Sequence, residues 1–389
     1  MKVALVAEWL DPWRGGAETS TLLFIHHLTQ GGVDLHVFTR SRPSPTPNMH
    51  VHTISGASMS RTRRSTTFAY RVEALLRADS FDVIHAVSPC RLADIYQPRS
   101  GTVAETIERN LATRRAGAAR SIKRYANRFN FKQRYMLAFE RQILSDRERP
   151  VVIAISDYVV RQLKHHYRLS DGRIRKIYNA VNPDQVGEAE RSRNRAMIRA
   201  EFGISRDELL VLLVAHNFRL KGVARWMEAL SQMVRQGGCN VRSIVVGRGE
   251  SRHWHDLCAR LGIADHLALA GPSDRVPAFY HACDVLVHPT YYDPCSRVVL
   301  EGMVRGVPCI TTRWDGASEM IEDGVNGYVL ADPDDAAALA DRIELLRDVG
   351  VRRRMGEAAK AVSDHASMDK HVDAVMQLYR EMSAVPTLG

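Results

Sequence analysis

The stretch Asp293-Pro-Cys-Ser-Arg-Val-Val-Leu-Glu301, continuing Gly302-Met-Val-Arg-Gly-Val-Pro-Cys-Ile-Thr-Thr312, decides the reading of this chain. Two carboxylates stand eight positions apart across a strand-to-helix turn, followed by a buried-looking strand and a polar loop. Pro294 and Ser296 suit a helix start, where a proline forfeits no hydrogen bond and a hydroxyl can cap. Asp293 then lies at the mouth of the helix and Glu301 about two turns down. The unpaired N–H groups and the positive dipole end point at whatever binds there. One carboxylate can grip sugar hydroxyls and the other a ribose, with a diphosphate near the amides of Cys295, Ser296 and Arg297. Pro294 donates none, and Cys295 reads as a passive wall, because its neighbours build no thiolate site. The arrangement suits a nucleotide sugar.

At 389 residues the chain is long enough for two ordinary domains. Its 45% hydrophobic and 25% charged residues are those of a soluble globular protein. No apolar run approaches the ~20 residues that span a bilayer. The opening Met-Lys-Val-Ala-Leu-Val-Ala reaches Glu8 too soon for a signal peptide and reads as a first strand. Six cysteines without a Cys-x-x-Cys pair point to reduced thiols, a cytoplasmic location and no zinc site.

Strand, loop and helix then alternate in two series. Val3–Ala7, Leu35–Thr39, Phe81–His85 and Val151–Ile155 are strands of the first; Leu209–Ala215, Ser243–Val246, His266–Ala270, Val285–His288 and Cys309–Thr312 belong to the second. Helices of crossover length between them imply parallel sheets, with ligands outside the carboxyl ends of the strands. The fold class expected is α/β, with two doubly wound, Rossmann-like domains. Their bounds are 1–182 and 196–365, joined by a polar linker at 183–195 and followed by a last helix in 366–389.

On these residues the chain resembles the retaining GT-B glycosyltransferases of family four, whose hallmark is Glu-Pro-Phe-Gly-x-x-x-x-Glu. Here Asp293, Cys295 and Ser296 replace the first Glu, the aromatic and the glycine. It is most similar to the branch that adds glucose to the lipopolysaccharide core. The segments that carry this are Leu286-Val-His-Pro-Thr290, Gly306–Thr312, Phe218-Arg-Leu-Lys-Gly-Val223, Arg134–Arg141 and Asp94-Ile-Tyr96. The resemblance implies two domains facing across a cleft, acceptor on the first and donor on the second, with the last helix crossing back to the first domain.

On the donor side, Arg219 and Lys221 follow a strand and precede a helix, where two cations would stabilise a departing diphosphate in place of a metal. A solvated surface loop is the plain alternative. Gly247-Arg248-Gly249 allows close backbone approach to a nucleotide. The resemblance puts Arg275 and Val276 beside the base, Glu301 on the ribose and Asp293 on the donor sugar. Apart from the resemblance, Glu301 could simply pair with Arg305, and Asp293 could cap a turn.

On the acceptor side, Gly15 and Gly16 let the first loop pass close to phosphates or acceptor. Glu18 is an acceptor contact or a first-turn helix acid, and His85 a group near the reacting sugar or a buried structural histidine. Asp94 and Ser100 are further acceptor-side candidates. Ser20 and Ser100 stand where the lipopolysaccharide branch carries acids. Between Arg99 and Arg149 there are thirteen Lys or Arg against five Asp or Glu, which accounts for most of the chain's net charge of +10. Ile107, Leu111, Ile122, Tyr125, Phe129, Met136 and Ile143 recur there at helical spacing, so residues 107–147 could lie on an anionic membrane or pack on the domain core. No nucleic-acid module accompanies the charge.

The expectation is a metal-independent hexosyltransferase with a UDP-sugar, glucose first, as co-substrate, and no cofactor. The acceptor is a saccharide or glycolipid, reached from the inner face of the cytoplasmic membrane. A non-catalytic nucleotide- or membrane-binding homologue and a sugar-nucleotide epimerase are the alternatives.

Overall fold

In a computed structural model, residues 1–55, 61–114, 117–127, 130–145, 150–237, 240–249 and 251–384 are described. Phe129 and Cys239 lie outside these residues, as do parts of the basic segment. The chain divides into two units, Met1–Ala180 with Ser367–Gly389, and Val181–Ala366.

The first unit holds seven strands: β1 (Lys2–Val6), β2 (Asp34–Thr39), β3 (Met49–Thr53), β4 (Val83–Ala86), β5 (Ile95–Tyr96), β6 (Val151–Ala154) and β7 (Ile174–Lys176). Their order is β3-β2-β1-β4-β5-β6-β7, and every pairing is parallel. Helix Met368–Ser383, capped by Ser367, packs on helix Gly16–Gln30 and on β4. It buries Met368, Val372, Val375, Leu378 and Tyr379 in the first unit's core. At about 1.5–3 kcal/mol for each large apolar side chain, this burial is why the chain's last helix belongs to its first sheet.

The second unit holds β8 (Leu209–Val214), β9 (Val241–Val246), β10 (Leu267–Gly271), β11 (Val285–His288), β12 (Cys309–Thr312) and β13 (Gly327–Leu330), ordered β10-β9-β8-β11-β12-β13 and again parallel. Leu-Leu-Val-Leu-Leu-Val of β8 is almost wholly buried, as a strand covered on both faces must be. In both sheets the order reverses beside the first strand, between β1 and β4 and between β8 and β11. Crevices at such reversals, at the carboxyl ends of the strands, are where ligands bind in this class of sheet.

Residues 183–195 differ from the linker expected of them. Helix Glu188–Glu201 starts inside this segment and packs on helix Val276–Ala282. Its arginines hold it there: Arg195 Nη2 lies 2.7 Å from Asp284 Oδ1, and the buried Arg199 reaches Asp284 Oδ2 at 3.2 Å and the carbonyls of Ser205 and Glu208. The polar composition that suggested a linker is that of a helix anchored by charge.

Among the described residues no helix is long and apolar enough to cross a membrane. The basic segment is divided among helices Val103–Ala112, Ala118–Asn127 and Phe131–Ser145. Ile143 is buried, whereas Ile122, Tyr125 and Phe131 are exposed.

Candidate active site

The candidate site in the second unit gathers where the strand order reverses. The loop after β8 turns at Asn217–Lys221, with Lys221 N–H donating to Asn217 O, and delivers Lys221 beside the loop after β11. Gly222 has φ +72, and a Cβ there would stand 2.0 Å from Pro289 O, so only glycine lets the two loops meet. Gly247 ends β9 in the same way, with φ +129 and a Cβ position 1.8 Å from Ala215 O.

The contact so produced is an ion pair. Lys221 Nζ lies 2.5 Å from Asp293 Oδ2 and donates also to Tyr292 O at 3.0 Å. His288 Nε2, at the end of β11, lies 3.4 Å from the same carboxylate oxygen. Burial alone would raise the Asp293 carboxyl, but Lys221 and then His288 hold it well below the usual carboxylate range. Burial keeps His288 itself below the ordinary histidine value.

Asp315, which the sequence reading passed over as part of a polar loop, completes the cluster. It bridges to Asp293 through the backbone, with Asp293 N–H donating to Trp314 O and Gly316 N–H to Asp293 O. Its fully buried carboxylate accepts from Ser296 N–H and Ala317 N–H, both at 2.9 Å, and from Thr311 Oγ1 at 2.8 Å. Burial, with the Asp293 charge second, pushes it up to about 7. The Asp-Gly pair just past a strand end was the available signal.

Ser296 caps helix Arg297–Val304, accepting from Val299 N–H. Two of the three amides expected to face a ligand are already engaged: Cys295 N–H donates to Asp293 Oδ1 and Ser296 N–H to Asp315 Oδ1. Carboxylates next to a helix start take up its orphan donors. Cys295 is buried. Down the helix, Glu301 Oε1 takes Arg297 Nη2 at 2.6 Å and Oε2 takes Tyr280 Oη at 3.0 Å. Arg305 instead donates to Glu301's backbone carbonyl, so the side-chain partner is the arginine one turn up rather than one turn down. Gly302 lets this helix sit on the sheet, since a Cβ there would meet Leu286 at 2.8 Å.

The other donor-side candidates are more open. Arg219 and Arg248 are exposed. Burial and then the charges of Arg248 and Lys221 lower the His216 imidazole, which puts both cations at this end of the sheet. Arg275, also exposed, pairs with Glu201 at 2.9 Å and precedes helix Val276–Ala282.

In the first unit, Gly15 and Gly16 lead into helix Gly16–Gln30, with Gly15 O accepting from Thr19 N–H and Oγ1. Burial raises the carboxyl of Glu18, against its own N–H and Arg14 at 3.8 Å. His85 is fully buried, its Nδ1 2.6 Å from Tyr379 Oη and its ring edge-on to Phe24. Burial, then the charges of Arg99 and His371, keep it neutral. Asp94 holds β4 in place, its Oδ2 accepting from Ile84 N–H and its backbone N–H donating to Ile84 O, both at 2.9 Å. Ser20 accepts from Arg99 Nη1 at 2.6 Å and donates to Asn179 Oδ1, inside a buried network, while Ser100 is exposed.

Two family models match the chain: Glycosyltransferase Family 4 over residues 14–185 and Glycosyl transferases group 1 over residues 194–362. One falls on each sheet, and the chain belongs to the group 1, family 4 glycosyltransferases with the GT-B fold. Among its relatives is the lipopolysaccharide glucosyltransferase WaaG of Escherichia coli K12, 27% identical over 211 residues, which are 54% of this chain. That match spans 56% of the relative's length. The crystal structure of WaaG shares the fold with a TM-score of 0.81 at 22% identity, over 96% of this chain and 99% of that one. Anabaena HepE in complex with UDP-glucose does so with a TM-score of 0.71 at 17% identity, over 98% and 100%.

Proposed function

We propose that this chain transfers a hexose, glucose first, from a UDP-sugar to a saccharide or glycolipid acceptor, with retention of configuration and without a metal. The observation that carries the reading is Lys221, held at the reversal of the second sheet by Asp293 and Tyr292 O. An ammonium has three donors. Two are spent on fixing its place, and the third is offered to a diphosphate oxygen, where it stabilises the charge that develops as the nucleotide leaves. Arg219 and Arg248 add positive charge at the same end of the sheet. Glu301, held by Arg297 and Tyr280, receives the ribose hydroxyls, and Asp293 the sugar.

No base is needed at the anomeric carbon in this reading. The acceptor hydroxyl attacks on the face from which the diphosphate departs, and the departing phosphate oxygen takes its proton. The protein supplies positioning and charge stabilisation. Glucose and lipopolysaccharide are the first donor sugar and acceptor to try because WaaG, named a lipopolysaccharide glucosyltransferase, is among the relatives. The exposed Ile122, Tyr125 and Phe131, beside Lys123 and Arg124, support docking on an anionic membrane that presents a glycolipid.

The test is UDP release from UDP-glucose with truncated lipopolysaccharide, with and without a chelator. Chelator-resistant release that requires the acceptor supports the reading. Product formed without acceptor would mean an epimerase, and nucleotide binding without turnover on any acceptor a non-catalytic homologue.

A further inference from the structure

The edge of the first sheet carries a second cluster of chemistry-bearing side chains. β2 and β3 pair in parallel with His36 opposite His50 and Phe38 opposite His52. Side chains alternate along a strand, so Asp34, His36 and Phe38 share one face of β2, and the register sets His50 and His52 beside them. On that face Asp34 Oδ1 lies 3.5 Å from His36 Nε2 and 3.2 Å from His50 Nε2. One ligand atom from each of the three lies within 4.8 Å of the others. Donors about 2.0–2.2 Å from a tetrahedral ion stand roughly 3.3 Å apart, so small ring rotations bring all three to one ion.

The surroundings favour that use. His36 Nδ1 lies 2.9 Å from His52 Nε2, so that with Nδ1–H donating to His52 an ion would take the Nε2 lone pair on the Asp34 side. A ligating imidazole is held in this way, by a partner on its other nitrogen. His52 is itself fixed by stacking on Phe38, with ring centroids 4.5 Å apart. The other groups facing the cluster are Phe81, edge-on to His36, and Lys2, whose charge Asp79 balances at 2.7 Å. His50 and Asp34 side chains are 60% and 48% exposed, so an ion can enter and keep water in its remaining positions.

We propose that Asp34, His36 and His50 bind a divalent ion of the zinc class, with His52 as a positioning residue. Two nitrogen donors and one carboxylate suit zinc, nickel or copper over calcium or magnesium. Such an ion would staple the edge strand β3 to β2, apart from the nucleotide chemistry of the second unit. The described residues hold one other such group, Glu105, Glu108 and His166, where Glu105 is already engaged by His166 at 2.7 Å and Tyr158 at 2.8 Å.

The experiment is calorimetric titration of zinc chloride into the metal-free full chain, with melting curves in parallel. One ion should bind and raise the melting temperature. Binding should be all but lost in His50→Ala and Asp34→Ala, weakened about 10- to 100-fold in His52→Ala, and unchanged in His166→Ala. His50 and Asp34 are exposed enough that both variants should melt like wild type without zinc. No binding to wild type, or binding that survives His50→Ala and Asp34→Ala, would overturn the proposal, as would binding that disappears in His166→Ala.

Discussion

Lys221 Nζ stands 2.5 Å from Asp293 Oδ2, tying the loop after β8 to the loop after β11 where the second sheet reverses its strand order. The cation keeps a partly buried carboxylate ionised and is itself held where an anion would approach. Lys221→Ala should therefore act twice. Leaving Asp293 with only His288 and the Cys295 N–H should cost about 1–3 kcal/mol in urea unfolding, below the cost of a fully buried pair because both side chains keep some exposure. UDP release should fall at least about 100-fold. Stability loss without loss of release would assign Lys221 a structural role alone.

Asp315 sets a pH dependence. Its folded value of about 7 lies above the ordinary 3.8, so the folded chain holds a proton that the unfolded chain has lost. The stability this adds is complete below pH 3.8 and is lost as pH rises toward 7. The slope approaches about 1.4 kcal/mol per pH unit. Asp293 works in the opposite sense, stabilising above its ordinary value and failing in strong acid. Asp315→Asn keeps the carbonyl acceptor for Ser296 and Ala317 and removes the charge. Denaturant melts of the variant between pH 4 and 7 should show a flatter profile than wild type. An unchanged slope would mean that Asp315 stays ionised.

Two glycines with the same backbone should respond differently. Gly222 and Gly262 have φ +72 and +69, but only Gly222 has an atom in the way, Pro289 O at 2.0 Å, while Gly262 faces open space. Gly262→Ala should cost about 1 kcal/mol, the left-handed penalty alone. Gly222→Ala should cost at least about 3 kcal/mol and disturb nucleotide binding, because the loops must part. Equal melting temperatures for the two variants would contradict this close approach.

The buried His85 offers a separate check. Tyr379→Phe removes the hydroxyl 2.6 Å from His85 Nδ1 and should cost about 1–2 kcal/mol. UDP affinity, which this account assigns to the second unit, should not change. A fall in UDP affinity at unchanged stability would give His85 a part in the donor site.

What could be read in advance follows from where chemistry is local. Leu209–Val214 declares itself by an unbroken apolar run, and Ser296 by its place before a helix. β5 is only Ile95–Tyr96, too short for any periodicity, and the edge strand β3, Met-His-Val-His-Thr, keeps polar groups on its open face and reads as loop. Glu301 was legible as a helix-face acid, but its partner was not, since i−4 and i+4 arginines are equivalent in sequence. Asp315 escaped because its meaning is non-local. It becomes a buried carboxylate only when β12 brings it against Asp293 and the start of helix Arg297–Val304.

The most direct test of the donor site is calorimetric titration of UDP, GDP, ADP and UDP-glucose into wild type, Glu301→Ala and Glu301→Gln in the presence of a chelator. UDP and UDP-glucose should bind wild type and be lost, or weakened at least about tenfold, in both variants, since a buried polar contact to the ribose is removed. A folded wild-type chain that binds no nucleotide, or Glu301 variants that bind UDP as well as wild type does, would contradict the assignment of Glu301 and the donor site built around it.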